Sequence, residues 1–238
     1  MRIIKAPTLA SAHEQVVRMI LEKGWVLETE DQEGTIEFEE VTMRVERPDS
    51  PPMVSPCSRF QQRFMEKYAR DLIEGSDSVF EYDYHDRLFN WGGGLRNEHG
   101  EDVHVDQVAY IVHKLKKAPS SRRAIAITWN PVVDEHLDDC PCLPLVQCVS
   151  RDGLLHMKVV FRSNDMLTAA GANMYALVSL QKEIAKSLCL DCGSYTHISL
   201  VPHIYYRRDA DDIEPFCARG ERFRPVPPVC RACGKCPL

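Results

Sequence analysis

The chain has 238 residues, 44% hydrophobic and 27% charged, with a formal net charge of −6 and ten cysteines. That length suits one large domain or two small ones around a substantial core. The acidic balance excludes a general nucleic-acid binder, which needs clustered Lys and Arg to displace counterions. No run of eighteen apolar residues occurs, so no membrane-spanning helix is expected. The opening MRIIKAPTLASAHEQ lacks the apolar core of a signal peptide, and a cytoplasmic protein is expected. In that compartment cysteines point to catalysis or metal binding more than to disulfides.

Residues 11–23 form an amphipathic pattern, with Ser11 as N-cap, Val16, Val17, Met19 and Ile20 as the apolar stripe and Gly24 as the stop. Strand-like runs follow at 25–30 and 35–47. The second changes phase at Glu39-Glu40, which predicts a bulge or turn. The proline-rich stretch 48–56 reads as a loop. Helical spacing returns at 58–74, closed by Gly75, and at 105–117, stopped by Pro119. Strands are expected at 123–129, 143–150 and 154–162, the last two joined by a tight Arg151-Asp152-Gly153 turn. A long buried helix at 172–188 and a strand at 195–205 complete the pattern. From Pro215 the chain is rich in Pro and Cys, and no regular structure is assigned. No repeat or linker appears, so residues 1–238 read as a single α+β domain: a mixed or antiparallel sheet backed by long helices.

Three segments concentrate chemistry. Arg122 and Arg123 stand at the mouth of a strand that ends Trp129-Asn130-Pro131; they are either a surface basic pair or an anion clamp. Cys142 follows Pro141 at the start of an apolar strand. There it is either a buried structural cysteine or a thiol that nearby arginines activate as a thiolate. Arg162-Ser163 offers guanidinium donors and a hydroxyl to an anion. Asp165, and Asn173 eight residues on, could read the edge of a heterocycle.

Together these segments resemble the thymidylate synthase family. The shared pattern is paired arginines before Trp-Asn-Pro, a Pro-Cys nucleophile about nineteen residues on, a strand Gln, Arg-Ser-x-Asp, an Asn, and a final His-x-Tyr. Here those are Arg122, Arg123, Trp129, Asn130, Cys142, Gln147, Arg162, Ser163, Asp165, Asn173, His203 and Tyr205. Tyr82 and Arg87 match a further upstream motif, and Val105-Asp106-Gln107 matches a helix start. The resemblance implies reductive methylation of dUMP to dTMP by a methylene-carrying reduced pterin. Cys142 would be the catalytic nucleophile at uracil C6. Arg162, Ser163, Arg122 and Arg123 would hold the phosphate, with the arginine pair coming from the partner of a homodimer. Asn173 would contact the base, His203 and Tyr205 the ribose, and Asp165 the pterin.

The sequence departs from the family mostly on the pterin side. Val201-Pro202 replaces Gly-Asp, Phe161 stands before Arg-Ser, and the helix residue in register with the family's glutamate is Tyr68, with Glu66 nearby. The N-terminal phosphate loop is absent, leaving Arg44 or Arg47 as substitutes. The cosubstrate is therefore expected to be 5,10-methylene-tetrahydrofolate or a methanopterin analogue. A pyrimidine nucleotide hydroxymethylase is the rival within the fold. A non-catalytic nucleotide- or metal-binding relative that kept the fold and lost turnover is the rival of a different class, and the missing glutamate supports it. Cys217, Cys230, Cys233 and Cys236, with Cys189-x2-Cys192 upstream, form a thiolate set that suits zinc or an iron–sulfur cluster.

Overall fold

The computed structural model describes residues 1–76, 83–92 and 96–217. In chain order it runs β1 (Arg2–Ala6), α1 (Leu9–Lys23), β2 (Trp25–Glu28), β3 (Gly34–Glu37), β4 (Val41–Val45) and α2 (Gln62–Glu74). Next come α3 (Tyr84–Phe89), α4 (Gln107–Lys117), β5 (Ile125–Ile127), α5 (Pro131–Asp134), β6 (Leu145–Arg151), β7 (Leu154–Phe161) and β8 (Asn164–Asp165). α6 (Ala170–Ser187), β9 (Asp191–Ser199), β10 (Pro202–Ile204) and α7 (Ala210–Ile213) follow, then a 3-10 turn at Glu214–Phe216. No helix among the described residues is long and apolar enough to cross a membrane.

Local chemistry explains most boundaries. Thr8 rather than Ser11 caps α1, its hydroxyl accepting from the Ser11 amide at 3.4 Å, so the helix starts earlier than expected. Asp152 and Gly153 both adopt positive φ, at 52° and 76°, and close the tight turn expected between β6 and β7, with Arg151 already paired to Leu154. Asn130 caps α5 by accepting from the Val132 amide, with Pro131 at the first helical position. The Asp134 carboxylate returns to the Asn130 amide at 2.6 Å, which accounts for the Asn-Pro pair without a ligand.

Two runs expected as single strands are each two strands in two different sheets. At 38–40 the chain passes from β3, in a four-stranded sheet of order β2-β3-β10-β8, to β4, in a six-stranded sheet of order β1-β4-β9-β7-β6-β5. At 200–201 it passes between the same sheets from β9 to β10, and at 162–163 from β7 to β8. Backbone hydrogen bonds lace these crossings together: Phe38 to Pro202, Asn164 to Val201, and Leu200 to Phe161, at 2.9 to 3.1 Å. The phase break at Glu39-Glu40 is thus a sheet junction, not a simple bulge.

The six-stranded sheet has one covered face. Met43, Tyr195, His197, Met157, Val159, Val146 and Ala126 are buried there under the helices. α6 is apolar on nearly all sides and lies in the middle of the core, which its sequence predicted. Its Gln181 reaches the bulge between β7 and β9, donating to the Leu155 and Gly193 carbonyls at 2.8 and 3.1 Å. Gly193 is needed there, because a Cβ would sit 2.8 Å from the His156 ring and 2.9 Å from the Leu155 carbonyl. Among the described residues, the opposite face of this sheet is left open.

Candidate active site

The junction between the sheets presents the site. Where β7 ends, the Arg162 amide donates to the Cys142 carbonyl at 2.8 Å. The Arg162 guanidinium donates to the carbonyls of Pro141 and Cys140 at 3.1 and 2.7 Å. On the other side, the Leu143 amide donates to the Tyr84 hydroxyl at 3.0 Å, and the Thr128 hydroxyl donates to the Leu143 carbonyl. The Pro-Cys turn is therefore fastened by side chains from three other elements, and Cys142 is held half-buried at a fixed point.

Burial separates the cysteines chemically. Cys148, inside β6, has its thiol pushed up to about 12 by desolvation, and burial does the same to Cys192. Neither supplies a thiolate near neutral pH. Cys142 shares its surroundings with Tyr205, whose hydroxyl is pushed up first by burial, against Arg208, and then by Asp165, Glu33 and Cys142.

Ser163 and His203 meet across the junction, Oγ to Nδ1 at 3.2 Å, and the same nitrogen lies 3.2 Å from the Val201 carbonyl. A proton on Nδ1 serves both and leaves Nε2 as the acceptor end of the ring. The Tyr205 ring packs edge-on against His203 at 4.9 Å. The Arg208 guanidinium covers Tyr205 at 4.0 Å from the ring centre and pairs with Asp165 at 2.8 Å. Asp165 also accepts from the amides of Leu167 and Thr168 and from the Thr168 hydroxyl, which fixes the turn into α6. A cleft of about 380 Å³ is lined by Tyr205, Arg207, Arg208, Gln32, Glu33 and Gly34.

Asn173 lies inside α6, not at its start: Ala169 is the flanking residue, so Asn173 does not cap the helix. It is 8% exposed, and its Oδ1 accepts from the Tyr68 hydroxyl of α2 at 2.9 Å. Glu66, two residues before Tyr68 on an exposed face of α2, accepts from Gln62 at 2.8 Å.

Cys142, Arg162, Ser163, Asp165, His203 and Tyr205 are thus gathered by the junction through the contacts above. Arg122 and Arg123 stand apart. Both are exposed beside the edge strand β5, and their carbonyls accept from Gln147 and from Tyr110 at 3.1 and 2.9 Å. Among the described residues, no hydrogen bond links either side chain to the Cys142 group. Arg44 pairs with Glu46 at 2.8 Å on the open sheet face, away from the junction. Arg87 is a structural cation: it pairs with fully buried Asp134 at 2.5 Å and donates to the Thr128 carbonyl. Sequence reasoning gave no role to Tyr84, Thr128 or Arg208.

Tyr82, Cys230, Cys233 and Cys236 lie outside the described residues. Among the described residues, no group of three His, Cys, Asp or Glu side chains could hold a metal ion. Cys217 donates to the Ile213 carbonyl at 3.6 Å.

The family model described as thymidylate synthase matches residues 76–229. A Methanocaldococcus jannaschii protein named "Putative thymidylate synthase" is 38% identical over 223 residues, 91% of this chain and 96% of its own length. A Methanosarcina barkeri protein of the same name is 36% identical over 205 residues, 86% of this chain and 89% of its own. "Thymidylate synthase 1" of Bacillus spizizenii is 38% identical over 119 residues, 50% of this chain and 42% of its own length.

Proposed function

The chain belongs to the thymidylate synthase family, and from that premise we propose that it converts dUMP to dTMP with Cys142 as the nucleophile. The observation that carries the reading is the Arg162 clamp on the Cys142 turn. It holds a permanent cation against the carbonyls of the two residues before Cys142 and ties the turn of the proposed nucleophile to a guanidinium with donors left for a phosphate.

In this reading the thiolate adds to uracil C6 and charge builds at C5 and O4. C5 then takes the methylene carbon from a reduced pterin of the folate or methanopterin type and loses its proton. The pterin leaves, returns a hydride to that carbon and is oxidised to its dihydro form. The S–C6 bond then breaks to release dTMP. Asn173 stabilises the charge at O4, since an oriented buried amide acts most where charge develops. Ser163 and Arg162 hold the phosphate, His203 and Tyr205 the ribose, and Asp165 the turn against which the pterin packs. Arg122 and Arg123 serve the site of a second copy.

The test is release of tritium from dUMP labelled at C5, run with a panel of methylene-carrying reduced pterins. Wild type should release label with one class, and Cys142→Ser should release none and fail to trap 5-fluoro-dUMP covalently. Cys140→Ser and Cys148→Ser should still trap it. An adduct on Cys142→Ser would end the assignment.

A further inference from the structure

Arg208 follows Tyr205 on the same turn of chain, and no step of the proposed reaction uses it. The backbone closes this turn, the Asp209 amide donating to the Tyr205 carbonyl at 3.0 Å. The Arg208 side chain folds back over the ring, with the guanidinium carbon 4.0 Å from the ring centre. A second constraint comes from His203, whose ring stands nearly perpendicular to Tyr205, at 4.9 Å and 86°.

The guanidinium is itself held by its edge. Nε donates to the two carboxylate oxygens of Asp209 at 3.1 and 3.0 Å, and Nη2 donates to Asp209 at 2.6 Å and to Asp165 at 2.8 Å. Both carboxylates are anchored in turn. Asp209 is buried and lies 3.7 Å from Arg59, while Asp165 accepts the two amides and the hydroxyl that fix the turn into α6. Guanidinium donors lie in the plane of the group, so two anchored carboxylates set that plane and leave its flat face to the aromatic ring. A lysine ammonium is a compact point charge and has no such plane.

Resting on the dUMP reading above, in which Tyr205 meets the ribose, we infer that Arg208 is a positioning residue that fixes the Tyr205 phenol for the 3′-hydroxyl of the nucleotide. The face of the ring is restrained by the guanidinium and its rotation by His203. The phenol oxygen is therefore presented without the ordering cost that a loose ring adds to binding.

The test is calorimetric binding of dUMP and of its 2′,3′-dideoxy analogue, which lacks the 3′-hydroxyl, to wild type, Arg208→Lys, Tyr205→Phe and the double variant. Arg208→Lys keeps a positive charge between Asp165 and Asp209, so the carboxylates stay compensated. It should lower the preference for dUMP over the analogue by about three- to tenfold, the loss of one well-placed hydrogen bond. In the Tyr205→Phe background the same change should leave the preference where it is, because the hydroxyl it acts through is gone. A wild type that binds neither ligand, or both alike, would overturn the dUMP reading at the ribose and this inference with it. A wild type preferring dUMP, with that preference intact in Arg208→Lys or lowered as much without the Tyr205 hydroxyl, would overturn the inference alone and leave Arg208 as a tie between two carboxylates.

Discussion

Arg162 carries two loads at once. Its guanidinium spends two donors on the carbonyls of Cys140 and Pro141, and its backbone amide holds the Cys142 carbonyl. A guanidinium has five N–H groups in a fixed fork, so donors remain for a phosphate. Removing the side chain should weaken phosphate binding and loosen the nucleophile together. A charge-assisted contact contributes about 1.5–3 kcal/mol, so Arg162→Ala should weaken dUMP binding by roughly ten- to a hundredfold. Deoxyuridine, which has no phosphate, should bind wild type and variant almost alike. The rate of 5-fluoro-dUMP adduct formation at saturating ligand should fall as well, reporting the loosened turn. Equal weakening for dUMP and deoxyuridine would leave Arg162 as a loop clamp alone.

At the level of strands and helices, the residues that composition and spacing made visible were those whose local partners lie nearby in sequence. The Asp152-Gly153 turn, the Gly24 and Gly75 stops and the apolar helix α6 fall in this class. The sheet junction was not visible. The phase change at Glu39-Glu40 is one local irregularity, and only the pairing of β4 with β9 and of β3 with β10 shows that it marks a change of sheet. For the same reason the motif order marked Cys142, Arg162 and His203 as a set, while the Tyr84, Tyr68 and Arg208 contacts depend on tertiary placement. Strand β9 also buries a polar chain that no pattern predicted. His197 is fully buried, stacks on Phe161 at 4.6 Å and lies 3.0 and 3.1 Å from Tyr195 and Asn164. Desolvation lowers its pKa to about 3. The unfolded chain takes up a proton on this ring below about pH 6.5, whereas the folded one does not until near its lowered pKa. Its contribution is therefore intact above that range and is lost as pH falls, at about 1.4 kcal/mol per pH unit. Urea unfolding between pH 7 and 4 should show this slope, and His197→Gln should remove about one proton from it. An unchanged slope would place the acid sensitivity elsewhere.

Across the whole molecule, the open face of the six-stranded sheet asks for a partner. The strand registers place Ile3, Thr42, Ile198, Val160, Leu145 and Ile127 side by side across all six strands. Ile3 and Ile127 are 56% and 43% exposed, and Tyr110 and Ile125 add apolar surface beside the exposed Arg122 and Arg123. A largely apolar strip of this kind is uncommon on a monomer, and a second copy related by a two-fold axis would cover it with its own equivalent. That arrangement also gives the arginine pair a purpose, since each copy would lend it to the other's site. Sedimentation should therefore find a dimer, and Val160→Glu, which sets a charge in the middle of the strip, should yield a monomer with little activity. The decisive measurement is complementation. Arg122→Ala and Cys142→Ser are each expected to be poorly active, for different reasons. After subunit exchange, about half the dimers are mixed, and each mixed dimer holds one site with both defects and one with neither. Activity should then return to about a quarter of wild type per site. If native mass spectrometry finds mixed dimers but no activity returns, Arg122 serves its own subunit or none, and the open face covers itself for stability alone.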